Sequence, residues 1–419
     1  MHLLKVGLLF AASTLSKLLA GLIVVKIIAV YIGADGLGRL GQFMSLMSMM
    51  TILAGGGIST GLVKFVAQYR DEHKQLRAYI GAASLVGLVA SVILGAILLG
   101  LASPLSNWLF GTVDYADVIR VLAAAQFALA CTNLLMGLVN GHKRVHAFAV
   151  VNGLGVVVGA SGVAVGCIFW GIHGAMYGLI WMPVANILFL VPWYFFGLRF
   201  KLRDLMPVWD RVKTGQFLQF SLMLLVSVFT MQMAQIVMRH IIEVNNSWVQ
   251  VGYWQAVSKI SDAYLQFITV VLASYYLPRL AELRSRSEIG KEVWSVYKIA
   301  MPVLAALSLT IFLARDFIIL LLFSPQFLPM KGFFPWQLMG DAFKIAAYIG
   351  AYVAVARAST TIYIGAEIFQ ASTLVLLCYF FVGKYGAVGA SYAYCATYIL
   401  YFIVVQVALR VYLRKGGDV

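Results

Sequence analysis

The sequence predicts an all-α polytopic membrane protein, with about twelve transmembrane helices in two six-helix lobes related by a pseudo-twofold axis along the membrane normal. Three observations predict it: the composition, the lengths of the apolar runs and an internal repeat. Of 419 residues, 62% are hydrophobic and 11% charged, against roughly 45–50% and 25% in an ordinary soluble domain. A soluble globular protein is excluded. A crossing helix needs about 20 apolar residues, so short connections leave no room for a large extramembrane domain, which argues against a receptor with an attached catalytic module.

Apolar runs broken by charge or turn residues fall at 4–32, 40–66, 78–102, 115–139, 146–170, 174–198, 214–241, 249–277, 293–314, 334–356, 359–382 and 386–411. The first is far longer than the core of a cleavable signal, about 7–15 residues, and reads as a retained span. The stretch 315–333, with Pro325 and Pro329, can be drawn as a loop or as a segment dipping into the membrane. Basic loops stay cytoplasmic. With the N-terminus inside, 20 of the 31 basic residues lie on the cytoplasmic side and six (Arg39, Arg120, Arg239, Arg315, Lys331, Lys384) outside. Both termini are therefore expected in the cytoplasm. The net charge of +15 is then a topology signal with affinity for anionic lipid, and no nucleic-acid partner is needed to explain it.

The longest polar stretch, Arg199 to Lys213, carries five basic and two acidic residues near mid-chain. It reads as a cytoplasmic linker (199–213) between an N-terminal lobe, 1–198, and a C-terminal lobe, 214–419. A shift of 214 sets Val63 to Arg70 on Leu277 to Arg284 and Gly38 on Gly252. A shift of 212 sets Gly171, Gly174 and Ala175 on Gly383, Gly386 and Ala387. Two matches at nearly one offset indicate a duplicated six-span unit. An even number of spans keeps both copies in one orientation, and such folds put the substrate path at the repeat interface.

A charge at the bilayer centre costs roughly 2.5–3.5 kcal/mol on insertion scales, so one that persists faces a bundle interior or a wet cavity. The spans keep Lys17, Lys26, Lys259, Lys298 and Lys344 against Asp262, Asp341 and Glu367. Lys259/Asp262 and Asp341/Lys344 share helix faces at three-residue spacing. They read either as ion pairs between packed helices or, with Lys298 and Glu367, as proton-coupling groups. Lys17, near mid-membrane with no local acid, is the leading candidate for binding an anionic substrate. Lys26 either joins it or snorkels. Arg239 and His240 end the seventh span, and His240 falls on Lys26 under the repeat. An outer cationic ring and an ordinary exposed helix end are both open there. Lys259 completes the binding candidates.

Other patterns say less. His142 and His146 have helical metal-ligand spacing but no acid or cysteine nearby, and the four cysteines are scattered in apolar runs, so no metal site and no cofactor is expected. GxxxG at Gly155/Gly159, Gly162/Gly166 and Gly174/Gly178 fits close packing in spans 5 and 6. Gly55 to Gly57 reads as a bend or close contact, a hinge being the sharper alternative. No GxxxxGK[ST] motif is present, so a transporter here draws its energy from elsewhere than ATP.

The segments Gly252 to Gln255, Lys259 to Phe267, Trp336 to Asp341 and Gly386 to Ala390, set in two basic six-helix halves, resemble the Wzx flippases of the multidrug/oligosaccharidyl-lipid/polysaccharide exporter superfamily. The resemblance covers essentially the whole chain. It implies transfer of an undecaprenyl-diphosphate-linked oligosaccharide from the cytoplasmic to the periplasmic leaflet of a bacterial inner membrane. It also implies membrane lipid as surroundings and partners among the polymerase and chain-length proteins of the same pathway. The residues agree: a diphosphate entering the bilayer needs cations to replace its water, whereas an exporter of cationic drugs needs an acid-rich cavity. Within the family the sugar unit, O-antigen or another, stays open. From another class, a polysaccharide polymerase or ligase would need a catalytic outer loop, for which only 315–333 offers length.

Overall fold

A computed structural model of the chain describes residues 21–55, 57–142, 145–197, 201–357 and 360–414. Among these residues every regular element is helical and none is a strand. In chain order the α-helices are α1 (Gly21–Tyr31), α2 (Gly33–Ala54), α3 (Ile58–Tyr69), α4 (His73–Gly100), α5 (Ala102–Phe110), α6 (Ala116–Gly141), α7 (Val145–Pro192), α8 (Arg211–Asn245), α9 (Trp248–Val271), α10 (Leu277–Glu282), α11 (Arg286–Leu313), α12 (Arg315–Leu322), α13 (Phe334–Ala356), α14 (Thr360–Tyr385) and α15 (Gly389–Arg414).

Seven stretches among the described residues are long and apolar enough to cross a membrane, or eight if α2 and α3, bent by 40° at Gly55–Gly57, count as one. Large apolar side chains such as Phe169, Trp170, Leu313 and Phe317 stand exposed on their outer faces. That is the surface of a chain whose solvent is lipid, where only helices can satisfy the backbone within one segment. Two of the seven stretches, of 44 and 51 residues, exceed what one crossing needs. Each breaks at a glycine in the left-handed region, Gly171 at φ +58° and Gly386 at φ +66°. An L-residue with a side chain is strained there. Three residues beyond each break a second glycine lies against the arm before it: Gly174 against Gly166, and Gly389 against the Phe381 carbonyl. The conformational match is therefore Gly171 with Gly386, a shift of 215. The letters pair Gly171 with Gly383 instead, at a shift of 212.

Two compact units emerge. The first comprises Met1–Ile32 and Leu40–Gln232. Its core packs α3, α4 and α6 through Leu62, Phe65, Tyr79, Ile80 and Leu138, with Phe217 edge-on to Phe65 at 5.3 Å. The GxxxG positions zip the two arms of α7, Gly155 facing Asn186, Gly159 facing Met182 and Gly178 facing Val163. Where α2 gives way to α3, Asn133 Nδ2 donates to the Thr51 carbonyl at 2.6 Å, occupying an acceptor next to the bend. The second unit comprises Gly33–Arg39 and Met233–Val419. Within it α13 and α14 both pack on α15 and scarcely touch each other. The start of α2 crosses the start of α9 so closely that a Cβ at Gly38 would stand 2.7 Å from the Trp248 carbonyl and 2.9 Å from the Gly252 amide. Gly252 in turn abuts Ala34. Ala34 and Gly38 are the positions that a shift of 214 sets on Trp248 and Gly252. The same shift sets Ile58, where α3 resumes after the bend, on Leu272, where α9 passes into a π-helical turn, Leu272–Tyr276.

The segment 315–333 is not an open loop, and its second part, from Pro325, runs on into the candidate span Pro325–Ala356. It folds as α12 and a 3-10 helix, Pro325–Phe333, with Phe327, Met330 and Phe333 buried and Lys331 Nζ on Asp316 at 2.7 Å. The described part of the basic linker lies against its own unit: Arg77 pairs with Asp204 at 3.4 Å, Tyr194 donates to the Lys201 carbonyl at 3.2 Å and the Val208 amide to the Gly81 carbonyl at 3.1 Å. Asp210 caps α8. Its Oδ1 accepts from the amides of Val212 and Lys213, both at 3.1 Å, and its Oδ2 from Lys213 Nζ at 2.7 Å. The Lys213 side chain first, then these amides, hold the carboxyl below the usual carboxylate range. A group whose folded pKa is depressed stabilises the fold above its unfolded pKa, and that stabilisation is lost as pH falls through the lowered value. Asp210→Ala should therefore lower the melting temperature of the purified protein at pH 7, and the gap to wild type should close as the pH is taken down through the acid range. Thermal melts followed by intrinsic fluorescence at stepped pH check this.

Candidate functional site

Four helices of the second unit gather the polar side chains of an otherwise apolar interior. On α9, which Ser247 caps through the Gln250 amide at 3.4 Å, Gln255, Lys259 and Asp262 fall at i, i+4 and i+7 on one face. Helix α13 contributes Asp341 and Lys344, α15 contributes Tyr394 and Tyr398, and α8 contributes Arg239.

Asp341 is 0% exposed. Its two carboxylate oxygens accept from two tyrosines on different helices, Tyr264 at 2.6 Å and Tyr394 at 2.7 Å. The three-residue spacing to Lys344 thus does not become a direct ion pair. Lys344 Nζ lies instead over the rings of Tyr394 and Tyr398, at 5.7 and 5.4 Å. Gln370 of α14 donates to the Tyr398 hydroxyl at 2.8 Å. Arg239 is also buried and not at a helix end, because α8 continues to Asn245. Its Nε donates to Gln255 at 2.9 Å, and its guanidinium lies 5.5 Å from the Trp254 ring centre. The second unit thus brings the cations Arg239, Lys259 and Lys344 together with the buried Asp341, while Asp262 ends the row on α9 at an exposed position; such a set can take up an anion or exchange a proton.

The remaining sequence candidates fall elsewhere. Lys17 lies outside the described residues. Lys26 is half-buried in α1 of the first unit. His240 faces Glu243 at 3.6 Å. Lys298 is exposed on α11, 5.9 Å from the Trp294 ring centre, away from the cluster. Glu367 is half-buried on α14 with Oε2 unpartnered among the described residues. His146 has no described side chain, and among the described residues no group of three or more His, Cys, Asp or Glu could hold a metal ion. Sequence reasoning missed the neutral partners Tyr264, Tyr394, Tyr398, Gln255 and Gln370. Gln255 carried a signal, one turn before Lys259 on its face; the tyrosines of α15 carried none among the many aromatics of the chain.

Long apolar helices enclosing a buried, charged polar cluster define a multi-pass membrane protein with a binding or transport interior. The chain belongs to the polysaccharide biosynthesis protein family, whose sequence pattern matches residues 3–284. It is 40% identical over 405 residues to the lipid III flippase of Escherichia coli (strain K12), covering 96% of this chain and 97% of that protein, and equally to the lipid III flippase of Shigella flexneri. Its fold resembles that of the lipid II flippase MurJ in an inward closed conformation (TM-score 0.79, 13% identity, 96% of this chain and 87% of MurJ). It also resembles the inward-facing conformation of a multidrug-resistance MATE transporter of the MOP superfamily (TM-score 0.76, 16% identity, 95% and 96%).

Removing one tyrosine hydroxyl from Asp341 leaves a buried acceptor unpaired, at a cost of about 1–3 kcal/mol. Tyr394→Phe should accordingly destabilise the protein by that amount, and adding Asp341→Leu should cost less than the two single changes combined. A double-mutant cycle from denaturation in detergent measures both.

Proposed function

We propose that this protein is a flippase that carries an undecaprenyl-diphosphate-linked oligosaccharide, the lipid III of enterobacterial common antigen, from the cytoplasmic to the periplasmic leaflet of a bacterial inner membrane. The observation that carries the proposal is the 40% identity with lipid III flippases across 96% of the chain. The cation-rich cluster around Arg239, Lys259 and Lys344 supports it, because a diphosphate leaving water needs charge-assisted donors. A polymerase or ligase is the competing reading, and the folding of 315–333 around buried Phe327, Met330 and Phe333 makes that segment less suited to be its catalytic outer loop. An O-antigen unit remains the alternative cargo, and the polymerase and chain-length proteins of the pathway are the partners proposed.

In this reading the chain makes twelve crossings in two six-helix lobes, related by a pseudo-twofold axis along the membrane normal and joined by the 199–213 linker, with both ends cytoplasmic. Support comes from the paired left-handed glycines Gly171 and Gly386, the 214-residue correspondence at Gly38 and Gly252, and the 20-to-6 bias of basic residues. Transport is by alternating access, with the lipid tail left in the bilayer. The substrate cations are Lys17, Lys26, Arg239 and Lys259. Asp262, Asp341, Lys344 and Glu367 supply ion pairing or a proton-exchange route that competes with a purely potential-driven one.

Cysteine-accessibility labelling should modify linker positions such as Trp209 only from the cytoplasmic side; labelling from the periplasm sinks the topology. In vesicles holding fluorescent lipid-linked oligosaccharide, wild-type protein should move the lipid between leaflets, Lys17→Ala should lower the flux at least tenfold, about the loss of one buried charge-assisted bond, and Lys17→Arg should retain part of it. Normal flux in Lys17→Ala removes that residue from the site, and no flux by the wild type with this lipid overturns the function.

A further inference from the structure

Near the ends of α13 and α15, in the second unit, lies a cavity of about 290 Å³ that the polar cluster does not use. It exists because α13 and α14 both rest on α15 without filling the space between themselves. Its walls are aliphatic and small, with Gly350, Ala354, Ala366 and Ala408 leaving a slot beside Val405 and Leu409. One end is different. Arg357 terminates α13 there; one Nη donates to the Leu283 carbonyl at 2.7 Å, while its buried Nε has no acceptor among the described residues. The Tyr412 hydroxyl, buried at the same end, is also without a partner among the described residues. The Arg286 guanidinium lies 5.2 Å from the Tyr412 ring centre. Two donors left unmet beside an apolar slot are costly unless an acceptor arrives with an apolar tail.

We propose that this slot holds an anionic phospholipid of the surrounding membrane, with its phosphate on Arg357 and Tyr412 and one acyl chain between α13 and α14. Arg284 follows Leu283, whose carbonyl accepts from Arg357, and Arg410 and Arg414 lie in the same closing turns of α15 as Tyr412; basic pockets between spans select anionic headgroups. A zwitterionic lipid would bring an ammonium towards guanidinium groups. The volume suits part of one acyl chain and is at the low end for a whole small molecule, too small for a long isoprenoid. The assignment is independent of the flippase reading.

The test is native mass spectrometry of the full-length protein, delipidated and then offered phosphatidylglycerol, phosphatidylethanolamine or undecaprenyl phosphate, with inorganic phosphate as a competitor. Phosphatidylglycerol should be retained over phosphatidylethanolamine. Arg357→Gln should weaken its retention about fivefold, the effect of one basic residue near an anionic headgroup, and Ala408→Phe should abolish it by filling the slot while leaving the guanidinium in place. Should Ala408→Phe fail to fold, Tyr412→Phe, which removes only a hydroxyl, should still weaken retention measurably. Equal retention by wild type, Arg357→Gln and Tyr412→Phe overturns the site. So does preference for undecaprenyl phosphate, or displacement of phosphatidylglycerol by inorganic phosphate at millimolar concentration, which would leave an anion site without a lipid.

Discussion

The structure of the second unit turns on one constraint: a carboxylate taken out of water must be given back its hydrogen bonds. Asp341 is 0% exposed, in a helix whose surroundings are apolar. Without partners a buried charge of this kind costs several kcal/mol, and breaking a satisfied one is as damaging. Tyr264 and Tyr394 supply the bonds, and because they sit on α9 and α15 they tie three helices at one point. Lys344 follows in part from the same arrangement, since Tyr394, which serves Asp341, also presents its ring to the ammonium group, with Tyr398 beside it. Arg239 repeats the logic between α8 and α9 through Gln255. Neutral side chains do the satisfying at Asp341 and between Arg239 and Gln255.

The backbone meets the same constraint differently. Within lipid every amide and carbonyl must find a partner in its own segment, so a reversal of direction has to be abrupt. At Gly171 and Gly386 a single left-handed residue makes the turn, and a glycine three residues on lets the returning arm lie against the departing one. Asn133 does similar work at the bend after α2 by bonding the Thr51 carbonyl. The two glycines share a positive φ and stand 215 residues apart, close to the offset of the proposed repeat.

Much of this was legible in the sequence, and the part that was not has a physical cause. Hydrophobic runs mark helices directly because lipid imposes apolarity on every exposed face, so the spans from 78 onward to 139 and from 249 onward to 411 match helices closely. An alignment of Gly and Ala cannot tell which glycine adopts positive φ, so the letters pair Gly171 with Gly383 while the backbone conformation pairs it with Gly386. Charged residues in spans stood out as anomalies, and Arg239, Lys259, Asp262, Asp341 and Lys344 do converge within one unit. Lys298 did not: an exposed lysine beside Trp294 can snorkel along an aliphatic stem, and sequence carries no record of which face of α11 it occupies. The tyrosines that complete the cluster were invisible for another reason. In a chain with 21 tyrosines and 26 phenylalanines, an aromatic ring is the ordinary packing unit, and only geometry reveals which hydroxyl meets a carboxylate.

The net charge of the cluster also bears on how the proposed transport could be driven. Moving one elementary charge through 100 mV is worth about 2.3 kcal/mol, so a head carrying two negative charges that leaves a negative interior gains roughly 4–5 kcal/mol if it crosses the whole field. Cations that travelled with it would cancel that gain, so they serve best when the protein holds them still. Arg239 meets this condition, being buried, hydrogen-bonded to Gln255 and set against Trp254. Fixed cations impose a cost of their own, because an anion held too firmly does not leave. In the proposed transport a carboxylate near the cations limits that grip, and Asp262, one turn from Lys259 on the same face of α9, is placed for that part.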